Sequence, residues 1–325
     1  MQVQVIGGGS WGLAIARHLA LNGQAVRLWC REEDNPAALR ETRESRAFLP
    51  GIHIPEGVDV HPEIDPEVHI AVYAVPSHVM RDAVTRHPVS PSTIRVSVAK
   101  GIENDTLLRM SEVMEQAAPG GPVVALSGPS HAEEVARGLP ATLVAAGADT
   151  AACDRVQEAF MADTLRVYTS PDIVGVELGG SLKNVVAIAA GVCDGFGLGD
   201  NAKAALITRG LAEIARLGVA CGADPITFAG LSGMGDLIVT CESRHSRNRR
   251  LGEGIAQGKS LEELTGNTPM VAEGVRTARS AQALATRLSV DMPITEAVHH
   301  VLFEGGDPRE AIARLMQRDP RAERD

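Results

Sequence analysis

Lysine is scarce in this chain of 325 residues. Of thirty-one basic side chains only four are lysine, Lys100, Lys183, Lys203 and Lys259, and the other twenty-seven are arginine. Arginine does not lose its proton in a protein, whereas a buried lysine titrates readily. A lysine kept in such a background marks a position where a cation has to give up a proton, and Lys183 is the leading candidate. Cysteine is scarce too: five residues, at 30, 153, 193, 221 and 241, odd in number and without a Cys-x-x-Cys pair. This excludes a disulfide framework or a cysteine zinc site and suits reduced thiols. Positive charge is outweighed, with a formal net charge of −10, which argues against a nucleic-acid binder. The N-terminus lacks the basic and apolar regions of a signal peptide, and no apolar run reads as long enough to span a bilayer. The expectation is a soluble, cytoplasmic protein without integral membrane association, long enough for two ordinary domains.

Glycine, by contrast, is placed with purpose near the start. Residues 2–6 (QVQVI) alternate as a strand and end at Gly7; AIARHLALNG then reads as an amphipathic helix closed by Gly23, and 25–30 (AVRLWC) as a second strand. Between first strand and helix lies Gly7-Gly8-Gly9-Ser10-Trp11-Gly12, a G-x-G-x-x-G in the setting that gives the pattern its meaning. Gly7 permits the tight turn, Gly9 lets a pyrophosphate approach the backbone, and Gly12 allows close helix–strand packing, with helix amides facing the phosphates. The alternative is a glycine-rich turn without a ligand. At the end of the second strand stand Cys30, Arg31, Glu32 and Glu33. No carboxylate ends the strand to hold a ribose 2′-hydroxyl, and Arg31 is suited to a 2′-phosphate. NADPH is therefore favoured over NADH, with dual use open because Glu32 can serve the hydroxyl. The alternative for Arg31 is a solvated pair with Glu32 or Glu33.

Further strands are expected at 70–75, 93–99, 123–127 and 141–146, with helical stretches between several of them. This alternation predicts a mostly parallel, doubly wound sheet of Rossmann type, whose ligands sit outside the carboxyl ends of the strands. Pro76-Ser77, Lys100-Gly101 and Ser127-Gly128-Pro129-Ser130 follow three of those ends. From 172 onward only helices are predicted, at about 172–194, 201–221, 246–257, 273–288, 294–303 and 308–317. The expected division is a dinucleotide-binding domain over 1–170 and a helical substrate-binding and catalytic domain over 171–325.

The helix at 172–195 carries Lys183. Asp172 can cap its start and Gly195 can close its end, and its apolar residues cover more than one face, so it should be buried. Gly175, Gly179 and Lys183 stand four apart on one face, which lets a second backbone or a flat ligand come close to an amine. Simple helix packing is the alternative. Downstream, Gly233-Met234-Gly235-Asp236 places a carboxylate in a tight turn entering a helix, with a plain N-cap as the alternative. Arg244, Arg247, Arg249 and Arg250 then form a basic island able to capture a phosphate, or simply a solvated helix start.

Taken together, VIGGGSWG, VPSH, AKGIE, SGPSHAEE, GVELGGSLKNVVAIAAG, NAKAALITRGLAE, GMGDLIVTC, SRNRR and VAEGVRTA resemble the bacterial NAD(P)-dependent glycerol-3-phosphate dehydrogenase family over nearly the whole chain. The resemblance implies an oxidoreductase that interconverts glycerol 3-phosphate and dihydroxyacetone phosphate and supplies phospholipid synthesis. It implies Lys183 as general base, and Lys100, Gly128, Ser130, Lys183, Asn184, Asp236, Ser246, Arg247 and Asn248 around the substrate. Ser10, Trp11, Arg31, Lys100 and Ala132, with Arg247, Val271 and Glu273, would contact the cofactor beside Gly7, Gly9 and Gly12. No metal is implied, and a homodimer is expected. Ser181 and His131 depart from the family's usual residues. Two rival readings stand beside this one: a hydroxyacid or 6-phosphogluconate type dehydrogenase, and a non-catalytic dinucleotide sensor.

Overall fold

The computed structural model describes residues 1–266, 272–320 and 322–323. Strands β1 (Gln2–Ile6), β2 (Ala25–Trp29), β3 (Val58–Val60), β4 (Ile70–Tyr73), β5 (Ile94–Ser97), β6 (Val123–Ser127), β7 (Ala141–Ala146) and β8 (Leu165–Ser170) form one sheet in the order β3-β2-β1-β4-β5-β6-β7-β8. All neighbours pair parallel except β6 and β7. Helices α1 (Ser10–Leu21), α2 (Pro36–Thr42), α3 (Met80–Arg86), α4 (Met110–Ala117), α5 (Ala132–Ala136) and α6 (Thr150–Phe160) connect them. Val3 pairs with both Val26 and Ile70, so the strand order reverses at β1, and the Gly7 turn stands at the switch point where such sheets take a ligand. The strands come out shorter than the sequence reading at 70–75 and 93–99. Strands β3, only three residues long, and β8 are not among the expected ones, although both alternate buried and exposed residues.

The antiparallel step from β6 to β7 reverses the chain, so β8 ends at the edge opposite the one where β4, β5 and β6 end. Helix α7 (Ile173–Phe196) then runs back along the sheet. At about 1.5 Å per residue, the ten residues from Ile173 to Lys183 climb roughly 15 Å, and the amine arrives at the ligand edge. Asp172 does cap α7, accepting from Gly175 N at 2.9 Å. The helix runs past Gly195 and closes on Gly197 instead, which adopts φ 64°. Gly195 is needed for space: a methyl there would overlap Ala256. The α7 segment also corrects the reading of apolar runs, because its 24 residues and mean hydropathy of 1.4 are enough to cross a membrane by length and composition. It is a core helix: 83% of its apolar window is buried, with Leu178, Leu182 and Val186 packed on Ile214, Leu217 and Phe228.

With α7 go α8 (Asp200–Ala220), α9 (Asp236–Glu242), α10 (Arg247–Ala256), α11 (Leu261–Thr265), α12 (Glu273–Leu288), α13 (Pro293–Phe303) and α14 (Pro308–Met316), close to the predicted spans except for the short α9 and α11, for which no span is predicted. The α7–α10 contact is backbone on backbone. A Cβ on Gly191 would overlap the Arg249 carbonyl, and one on Gly252 would overlap the Ile188 carbonyl. Gly179 likewise meets the Ser232 carbonyl, while Gly175 meets the Asp172 cap and Thr227. The glycine face above Lys183 is therefore filled by backbone at Gly179 and by side chains at Gly175.

Candidate active site

Four chain segments meet at the Lys183 amine. From α7, Lys183 Nζ donates to Asp236 Oδ1 and, at 2.6 Å, to Thr240 Oγ1. From the loop after β5, Lys100 Nζ donates to the other carboxylate oxygen of Asp236 at 2.7 Å and to the Gly128 carbonyl after β6 at 2.9 Å. One buried carboxylate thus sits between two ammonium groups: Asp236 is 1% exposed and Lys183 5%. Burial pulls the Lys183 amine down to about 7; Asp236 opposes this by favouring the cation, and Lys100 adds to it by like-charge repulsion. Of these influences desolvation is the largest.

Local sequence explains how Asp236 gets there. Leu231–Gly235 forms a wide π-type turn, with Gly235 N donating to the Gly230 carbonyl at 3.1 Å, and a methyl on Gly233 would overlap the Phe228 backbone. Asp236 is the first residue of α9 and its side chain faces the two lysines, so the N-cap reading fails; Gly235 holds that place. One turn on, Thr240 falls on the same face and donates to the Asp236 carbonyl at 2.6 Å. Sequence reasoning missed Thr240. Its signal was the i+4 spacing from Asp236.

The other proposed substrate residues gather beside this centre, several with part of their hydrogen bonding committed. Ser246 caps α10, accepting from Arg249 N at 3.2 Å. Asn248 donates to Asn184 Oδ1 and accepts from Gly274 N, both at 3.0 Å, and Asn184 Nδ2 faces the Lys100 carbonyl at 3.5 Å. The two amides thus bind α7, α10 and α12 to the Lys100 loop. Ser130 donates to the Gly128 carbonyl at 2.9 Å. Arg247 is half-buried on the first turn of α10, near Glu133 and Glu273. Its neighbour Arg249 turns away to Asp194 (2.5 Å) and Glu253 (2.9 Å). The third rare lysine, Lys203, joins that same cluster, 3.0 Å from Asp194 and 3.2 Å from Glu242.

The cradle for a dinucleotide fits its sequence. Gly7 adopts φ 123° against the Ala74 carbonyl, a methyl on Gly12 would overlap the Gly7 carbonyl, and the Cβ direction of Gly9 opens on free space. Gly9 precedes α1 without a side-chain cap, leaving its first amides for an anion. Trp11 packs half-buried against the sheet core, Ala132 opens α5, and the Ser10 hydroxyl is directed to the Phe48 carbonyl at 2.5 Å. Arg31 is paired, but with Asp34 (2.9 Å) rather than with Glu32 or Glu33, and remains 64% exposed.

Profiles of the NAD-dependent glycerol-3-phosphate dehydrogenase N-terminus and C-terminus match residues 2–153 and 172–313. The chain belongs to this family. It is 50% identical to the glycerol-3-phosphate dehydrogenase [NAD(P)+] of Pelotomaculum thermopropionicum, covering 98% of this chain and 93% of that one. A Salinibacter ruber enzyme of the same name is 51% identical, covering 99% and 96%. The crystal structure of glycerol-3-phosphate dehydrogenase from Coxiella burnetii superposes with a TM-score of 0.93 at 35% identity, covering 98% of this chain and 99% of that one.

Ser181, one of the two departures from the family's usual residues, turns its hydroxyl onto its own helix. Its hydroxyl donates to the Glu177 carbonyl one turn back, at 2.7 Å. His131 lies closer to the chemistry: burial, then the Lys183 cation, disfavours its charged form, and its ring is 5.9 Å from that of His245. Glu273 ties the helical half to the sheet half, accepting from Ser77 Oγ at 2.7 Å and Ser77 N at 3.3 Å. Val271 lies outside the described residues.

Proposed function

We propose that this chain interconverts sn-glycerol 3-phosphate and dihydroxyacetone phosphate, with hydride passing between C2 and NAD(P). The observation that carries this reading is the Lys183 amine, buried between Asp236 and Thr240 and drawn down to about 7. Neutral Lys183 takes the C2 hydroxyl proton during oxidation, and its ammonium form gives that proton to the carbonyl during reduction. Asp236 and Thr240 aim the amine, and Lys100 keeps it easily deprotonated. Arg247 holds the substrate phosphate with paired donors, helped by the amides at the start of α10. Bound at the Gly7–Gly12 turn, NAD(P) supplies the hydride acceptor or donor. Residues 1–170 hold the cofactor and 171–325 the substrate, closing on each other through Lys100–Asp236 and Ser77–Glu273.

Both cofactors are used, with NADPH ahead by a narrow margin. Arg31 is exposed enough to meet a 2′-phosphate, but Asp34 already draws on its donors. The five free thiols fit a cytoplasmic location, in which the product feeds phospholipid synthesis, and the working assembly is a homodimer. The test is spectrophotometric: dihydroxyacetone phosphate with NADPH, then NADH. Oxidation of neither cofactor would overturn the reading.

A further inference from the structure

A cavity of about 660 Å³ opens beside Arg247, and among the described residues none of Lys100, Lys183, Asp236 or the Gly7–Gly12 turn lines it. Its wall is cationic on two helices. Arg247 and Arg250 stand one turn apart on α10, and Arg276 and Arg279 one turn apart on α12. Like charges at that spacing repel, and the chain as a whole is acidic, so carboxylates to neutralise them are plentiful. Yet among the described residues no carboxylate lies within 4.0 Å of Arg250, Arg276 or Arg279. Glu273, whose charge Arg276 helps to hold, is committed to Ser77. Apolar Leu251, Leu264 and Phe303 share the lining, and the Arg279 guanidinium lies 4.2 Å over the Phe303 ring. The volume lies in the range of pockets for organic ligands, far beyond the need of an inorganic anion.

We propose that this cavity binds a soluble organic phosphate monoester bearing an apolar substituent. The phosphate is held by Arg250, Arg276 and Arg279, and the substituent lies on Leu251, Leu264 and Phe303. Because Arg247 belongs to the same wall, occupancy opposes substrate binding, and the two ligands weaken each other by the same factor. That coupling rests on the function proposed above; the binding itself does not.

Calorimetry on the full chain, with hexyl phosphate and inorganic phosphate as probes, tests the binding. Hexyl phosphate is expected to bind at least about tenfold tighter, since each buried methylene adds to affinity. Replacing Arg250, Arg276 and Arg279 together by alanine should weaken hexyl phosphate by about tenfold or more. Phe303→Ala should weaken hexyl phosphate and leave inorganic phosphate unaffected. Equal affinities for the two probes, or undiminished binding in the triple variant, would overturn the proposal. So would a KM for dihydroxyacetone phosphate that rises in the same proportion as the hexyl phosphate Kd, which would put both in one site. Co-sedimentation with vesicles carrying a phosphate-monoester lipid, as tight as hexyl phosphate binding, would replace the soluble ligand by a membrane. An enzyme that fails to turn over dihydroxyacetone phosphate but binds hexyl phosphate as described refutes the function and leaves this site standing.

Discussion

At the scale of single residues, the chemistry is a contest over one proton. Burial penalises the Lys183 ammonium more than Asp236 rewards it, and Lys100 adds to the penalty, so the amine titrates near neutrality. The sign for catalysis follows. Oxidation of glycerol 3-phosphate needs the free amine, so its kcat/KM should rise as pH increases through about 7. Reduction needs the ammonium and should fall above the same pH. Initial rates in both directions from pH 5.5 to 9 check this, and two limbs moving the same way would remove Lys183 from the proton path. Arg247 is read by comparing substrates. One charge-assisted contact contributes roughly 1.5–3 kcal/mol, so Arg247→Ala should lower kcat/KM for dihydroxyacetone phosphate by about 10- to 150-fold. Unphosphorylated dihydroxyacetone should lose far less, and equal losses would deny Arg247 the phosphate. For Arg31→Ala, weaker NADPH binding with NADH nearly unchanged is expected by titration, and the effect should be several-fold at most because the guanidinium is exposed and shared with Asp34.

At the scale of elements, the site depends on how closely α7 and α10 approach, because that distance sets Lys183 against Arg247. Gly191 and Gly252 make the approach possible. Alanine at 191 would gain roughly 1 kcal/mol of helix propensity. Its methyl would meet the Arg249 carbonyl, which is backbone and has no rotamer into which to retreat. Overpacking of that kind costs roughly 1–3 kcal/mol or more, so the clash should win. Gly191→Ala is expected to lower the urea midpoint and, by pushing α10 away, to raise the KM for dihydroxyacetone phosphate. An unchanged midpoint would mean that the two helices have slack.

At the scale of the whole molecule, the polar ties between sheet half and helical half include Lys100–Asp236 and Ser77–Glu273 at the proposed ligand site, beside Arg109 and Ser111 on the Glu177 carboxylate of α7. Ligand binding and global stability should therefore be linked. NADPH at 100 times its Kd should add about 2.7 kcal/mol to stability and raise Tm by a few degrees. Lys183→Arg should keep that shift, because the cofactor is cradled elsewhere, while losing roughly 10²–10⁴-fold in kcat. A variant that loses the NADPH shift together with turnover would show Lys183 to be structural.

Much of this was written locally in the chain. The parallel sheet, the glycine turn, the helical second half and Lys183 as the titrating amine follow from short-range periodicity, turn chemistry and residue choice, which act over a few positions. The resemblance of linear motifs added the candidate residues around them. Other features depended on contacts between distant segments. Asp236 became a bridge between two lysines, not a cap, because the π-type turn and α7 place it there. Asp34 took Arg31, Asn184 and Asn248 were joined to each other, and Gly191 opened the seam for α10. The titration of Lys183 near 7 belongs to the same class. Composition shows that a lysine is rare, but desolvation is a property of the surrounding volume, and only the tertiary fold excludes the water.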